Sequence, residues 1–142
     1  MGVLADLIVA EMADAQAILA SDYPLEKFKG SNADGLDPLM LAELHGLLAE
    51  HQPHELLPAY RPIAQASDQG PWLIRVPSEM VQRLADLPPQ DHPSVAARWA
   101  AEERMREHAP GEHWADQILE IAALQSQMAA FEGKELFLIL YD

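Results

Sequence analysis

Cysteine is absent from all 142 residues, which excludes structural disulfides, thiolate metal centres, thiol nucleophiles and iron–sulfur clusters. Basic residues are scarce: 9 Lys and Arg stand against 23 Asp and Glu, for a formal net charge of −14. A field of that sign repels phosphate backbones and anionic lipid, so nucleic acid and membrane surfaces are poor partners. Long apolar runs are missing too, and none approaches the roughly 20 residues of a membrane-spanning helix. Residues 1–10 lack a basic start and carry Asp6 inside their apolar run, so no secretory signal is expected and the cytoplasm is the expected compartment. The 7 glycines build no Walker loop and no Gly-x-Gly-x-x-Gly, and no Gly-x-Ser-x-Gly elbow occurs. Neither a cofactor nor a catalytic nucleophile is expected from these patterns.

What remains is enough for a packed core. With 49% hydrophobic and 23% charged residues, a chain of this size buries about 68–70% of its unfolded surface and reads as one domain spanning residues 1–142.

Residues 2–10 are apolar and partly β-branched, and read as a buried strand. Residues 11–20 continue at helical spacing. Asp37-Pro38 opens a second helix, because Asp caps free amides and proline at the first helical position loses no hydrogen bond. Met40, Leu41, Leu44, Leu47 and Leu48 form its apolar stripe, and Gly46 within it points to close packing. Low regularity over residues 55–70 reads as a loop. Residues 71–76 read as a second strand, followed by helices over 78–87, 93–107 and 113–131. Arg98–Glu102 and Glu102–Arg106 are spaced to pair along the second of these. The uninterrupted apolar run in residues 135–141 predicts a strand covered on both faces, hence central in its sheet. The expected fold is α+β: about five helices on a small three-stranded sheet, in the order β-α-α-β-α-α-α-β.

The charge is unevenly spread. Residues 1–60 hold ten acidic and two basic residues, and residues 30–60 hold no Lys or Arg at all. That stretch also contains the densest set of groups with chemical potential: Asp37, Glu43, His45, Glu50, His51, His54 and Glu55. Imidazole and carboxylate together suit zinc or iron. The spacing argues otherwise, since His45 and His51 are six apart and do not share a helix face, and His54 follows a proline outside the helix. No metal site is expected. Glu107-His108 and Glu112-His113 fall at helix ends, where a charged histidine near a C-terminus is favourable. Asn32 to Asp37 fails as a calcium loop: with Gly35 in the sixth position, Gly30 and Leu41 would fall in the first and last, where neither offers a ligating side chain.

Four stretches also carry a family resemblance. They are the Met1-Gly2 opening into strand and helix, the Leu-rich helix of residues 36–48 with its Asp start and His45, the strand-then-helix of residues 72–87, and the closing strand of residues 131–141. Together they resemble the YfbM-like family of small bacterial proteins, although the aromatic usual before the first histidine is replaced here by Leu44. The resemblance implies a one-domain α+β fold. It implies no activity and no site residues.

Two functional expectations follow. One is a non-enzymatic interaction protein, immunity- or inhibitor-like, offering its acidic face to a basic protein partner. The other is a small enzyme or ligand-binding protein using a histidine and carboxylate site.

Overall fold

The apolar run near the C-terminus forms β5 (Glu135–Leu140), and it lies in the middle of a five-stranded sheet. The computed structural model describes residues 3–108 and 111–141. The other strands are β1 (Ala5–Ala10), β2 (Lys29–Asn32), β3 (Pro62–Gln65) and β4 (Trp72–Arg75), in the order β2-β1-β5-β4-β3. Every neighbouring pair is antiparallel, with Leu7 opposite Leu138 and Ile74 also opposite Leu138. Seven α-helices are found among the described residues. They are α1 (Ala15–Ala20), α2 (Pro38–Ala49), α3 (Pro53–Leu56), α4 (Ser78–Asp86), α5 (His92–Ala100), α6 (Glu103–His108) and α7 (Glu112–Glu132). None is long and apolar enough to cross a membrane.

This corrects the expectation of about five helices on a three-stranded sheet. The three expected strands are present, but β2 and β3 were not expected. Lys-Gly-Ser-Asn in β2 has no β-branched or aromatic side chain, and it becomes a strand because β1 supplies its hydrogen-bond partners. β3 starts with a proline, is mostly exposed and shifts register between Pro62 and Ala64, which an edge position tolerates. The extra helices arise from α3, a single turn at the start of the expected loop, and from a break that divides residues 93–107 into α5 and α6. That break at Ala101 and Glu102 also undoes the expected pairing, and neither Arg98–Glu102 nor Glu102–Arg106 is an ion pair here. The observed order is β-α-β-α-α-β-β-α-α-α-α-β.

Period-two alternation sends the strands' side chains to two cores. On one face Leu7, Val9, Ile74, Leu136 and Leu138 join residues of α2, α4, α5 and α7 in the larger cluster, with Trp99 and Tyr60 fully buried in it. On the other, Ile8, Leu73, Phe137 and Ile139 meet Ile18 and Leu19 of α1 in a smaller one. Each fully buried Leu, Ile or Phe contributes about 1.5–3 kcal/mol. Coverage on both faces is why β5 reads as continuously apolar.

The end of α2 decides where the site lies. Asp37 caps α2 through a hydrogen bond from the Met40 amide to Oδ1 (2.9 Å). At the other end Glu50 adopts a left-handed conformation (φ 59°) and turns the chain back sharply. A Cβ on Gly46 would stand 2.6 Å from the His51 carbonyl oxygen, so this turn requires glycine inside the helix. The turn leads directly into α3 beside α2.

Candidate functional site

Helix α2 is buried over most of its length, and two of its polar side chains, Glu43 and His45, are buried with it. Glu43 lies against the start of α6. The break before α6 leaves its first amides without helical partners, and the Glu43 carboxylate answers them: the Arg104 amide donates to Oε2 at 2.8 Å. The Arg104 guanidinium turns to Asp37 instead, donating from Nε (2.8 Å) and Nη2 (2.6 Å) to Oδ2, while Nη1 donates to His108 Nε2 at 2.7 Å. Asp37 therefore has both oxygens occupied. Glu43 does not, because Oε1 is buried and accepts no hydrogen bond from any described residue. An unsatisfied buried polar atom of this kind costs about 1–3 kcal/mol.

The consequence for Glu43 is electrostatic. Burial pushes its carboxyl above the usual range. The Arg104 and Met105 amides pull it back, and the charges of Glu102 and Asp37 raise it further.

Glu43 lines a cleft of about 520 Å³ between α2, α3 and α6. Leu39, Ala42, Pro53 and Leu57 give it apolar walls. Glu102, Glu103 and Glu107 add three further carboxylates, with His54 on the same wall as Pro53. Among the described residues, the one guanidinium lining it is that of Arg104, already engaged by Asp37. A smaller hollow of about 360 Å³ adjoins it, lined by Glu43, Glu50, His51, Arg98 and Glu102. The arrangement suits a cation with an apolar stem.

His45 points elsewhere. Its Nδ1 is hydrogen-bonded to the Tyr60 hydroxyl at 3.0 Å, and burial holds that phenol protonated. Nε2 lies 3.6 Å from Glu79 Oε1, beyond hydrogen-bond reach. Burial lowers the His45 pKa below its ordinary 6.5, against the pull of the Glu79 carboxylate, so the ring is neutral at pH 7. Glu79 itself is exposed and paired with Arg83 (2.8 Å), which also donates to the Leu48 carbonyl.

The residues singled out from the sequence thus separate. Glu43 and His54 share the larger cleft, and Glu50 and His51 the smaller hollow. Asp37 is a buried cap and ion-pair partner. His45 is a buried partner of Tyr60. Glu55 is exposed and caps α3 by accepting the Gln52 amide at 3.2 Å. No group of three His, Asp or Glu among the described residues could hold a metal ion.

Sequence reasoning missed Arg104, Glu102, Glu103 and Glu107, which complete the cleft, and Tyr60 and Glu79, which flank His45. The Glu102-Glu103 doublet was a visible signal, but its meeting with Glu43 depends on a helix break that no composition marks. Residues 30–60 contain no Lys or Arg, yet the fold brings Arg83, Arg98 and Arg104 against them. Comparison of the chain with protein-family models, curated proteins and solved structures finds no match.

Proposed function

We propose that this chain is a non-enzymatic interaction protein that engages a basic protein partner through the acidic cleft between α2, α3 and α6, as an immunity or inhibitor protein does, in a bacterial cytoplasm. One observation carries the reading: four carboxylates, Glu43, Glu102, Glu103 and Glu107, share one apolar-walled concavity whose sole guanidinium among the described residues is committed to Asp37. The net charge of −14 adds long-range steering, which speeds association with a cationic surface and makes it salt-sensitive. On the four stretches quoted above we also propose kinship with the YfbM-like family, from which no activity follows.

A fluorescent lysine-rich peptide, titrated at low and high salt, tests the reading. Bulk charge alone would attract such a peptide, so the decisive comparison is between two triple variants. Glu102→Gln/Glu103→Gln/Glu107→Gln is expected to weaken binding well beyond Asp22→Asn/Glu26→Gln/Glu120→Gln, which removes the same charge from exposed positions outside the cleft. Equal losses would show only a diffuse polyanion and would end the proposal.

A second reading, a ligand-binding or catalytic site built from histidine and carboxylate, draws on His54 sharing the cleft with the raised Glu43 carboxyl. It makes His54 essential, whereas the first reading makes the loss from His54→Ala small beside that from Glu102→Gln/Glu103→Gln/Glu107→Gln.

A further inference from the structure

The two edges of the sheet are finished differently. β3 begins with Pro62 and shifts register between Pro62 and Ala64, features that blunt an edge against further pairing. β2 has neither a proline nor a register shift. Its pairing with β1 fixes which groups face outward. The Ala33 amide donates to the Ala5 carbonyl (2.9 Å), and Ser31 and Lys29 follow at the same parity, opposite Leu7 and Val9. Their amides and carbonyls therefore point to β1, and those of Gly30 and Asn32 point away from the sheet. Among the described residues no backbone group pairs with this outer row, and the Asn32 carbonyl has only a long contact (3.4 Å) from the Ser31 hydroxyl.

Apolar side chains flank the open edge on both faces. On one, α7 presents Leu124 (53% exposed) and Phe131 (92% exposed), one heptad apart and so on one side of the helix, with half-buried Ile121 and Met128 beside them. A hollow of about 490 Å³ joins Trp114, Ile121 and Leu124 to Asn32 and Asp34. On the other face, exposed Leu4, Tyr23 and Leu25 border a hollow of about 450 Å³ that Asn32 and Asp34 also line.

The charge along this edge is polarised. Lys29 and Lys134 stand at one end, sharing Glu132 at 2.8 and 3.2 Å, and the third lysine of the chain, Lys27, lies just before Lys29. Asp34 and Glu120 stand at the other end, on the α7 hollow.

We infer that β2 and the outer side of α7 form the interface of a symmetric dimer of this chain, in which β2 pairs antiparallel with its own copy about a two-fold axis at Ser31. Rotation about that axis sets the outward amide and carbonyl of Gly30 against those of Asn32 in the second copy. It lays the two α7 helices antiparallel on one face of a continuous sheet, so that their apolar stripes meet. The same rotation brings the Lys29 and Lys134 end of one copy onto the Asp34 and Glu120 end of the other. This complementarity is what selects a second copy as the occupant. Chains of net charge −14 otherwise repel one another, and all three lysines are gathered at the edge where the copies meet. The surface shares no residue with the acidic cleft and is independent of the interaction reading.

Sedimentation equilibrium of the full chain at about 0.15 M salt, where charges are screened beyond about 8 Å, is expected to give twice the monomer mass. Hydrogen exchange should show the Gly30 and Asn32 amides protected, with the protection lost on dilution. Leu124→Glu/Phe131→Glu puts like charges where the stripes meet and should weaken the dimer at least about a hundredfold. Ile63→Glu, a comparably exposed site on the opposite edge, should leave it unchanged. Lys134→Glu and Glu120→Lys should each weaken it about tenfold, and their combination should restore it, because opposite charges again face across the axis.

A chain that stays monomeric up to millimolar concentration overturns the inference. So does a dimer whose Gly30 and Asn32 amides exchange freely, or one indifferent to the charge exchange. A dimer dissociated by Ile63→Glu but not by Leu124→Glu/Phe131→Glu would place the contact on β3 and overturn it as well. A monomer in which a copurifying peptide of another protein protects those amides overturns the assignment to a second copy.

Discussion

Glu43 and His45 stand two residues apart on one buried helix, about 200° around its axis and so on opposite sides. Each keeps one buried side-chain atom without a hydrogen bond, Oε1 in the first and Nε2 in the second. Their fates differ because different elements cover them. The α6 side brings more carboxylates and an apolar-walled cleft that Glu43 lines. The α4 side brings Glu79, already held by Arg83, and the neutral ring of His45 packs edge-on to Tyr60. One buried polar group therefore borders a candidate site and the other is a core residue. Burial alone does not distinguish them.

The largest expected effect breaks the α6 side. Arg104→Met removes the partner of the buried Asp37 carboxylate and should destabilise the protein by about 2–4 kcal/mol in urea unfolding. On the opposite side, Tyr60→Phe leaves His45 Nδ1 without its hydrogen-bond partner and should cost about 1–2 kcal/mol in the same measurement. Glu43→Gln at pH 7 should change stability by less than about 1 kcal/mol, because the amide oxygen still accepts from Arg104 and no charge need be buried. A loss as large as that of Arg104→Met would mean that the Glu43 carboxylate is as fully compensated as Asp37, which would remove the contrast.

The two sides also oppose each other in pH dependence. The folded state lowers the His45 pKa, so the unfolded chain binds the proton more tightly. That contribution is complete above 6.5 and is lost as pH falls below it. The folded state raises the Glu43 pKa, so its contribution has the other sign: stability falls as pH rises from 4.5 through the folded value. Urea unfolding across this range should show His45→Gln flattening the decline below 6.5, and Glu43→Gln removing the gain on acidification. Profiles of both variants that overlay that of the parent would contradict the two assignments together.

Much of the architecture was legible, and each success had a local cause. Asp37-Pro38 announces the start of α2 by capping chemistry, Gly46 the tight approach of the chain at its end, and residues 136–140 the central strand. Gly133 ends α7 in the left-handed conformation (φ 67°), which glycine adopts without steric cost. β2 and β3 escaped notice because edge strands take their hydrogen bonds from a neighbour and bury little of their own side chains. Of the cleft, Glu43 and His54 were named in advance, and their acidic surroundings were not.

The sequence by itself determined the sign of the charge, the absence of thiol chemistry, the ends of α2 and the apolar periodicities that make helices and a central strand. These are properties of single residues and their near neighbours. Only the tertiary structure decided which carboxylates meet, because Glu43 and Glu102 are far apart in the chain and are joined by the break between α5 and α6. It also decided that the stretch free of Lys and Arg is not free of cations in space, and that Arg104 answers Asp37 rather than Glu43. Charge interactions act through distance, and distances between remote residues are set by packing.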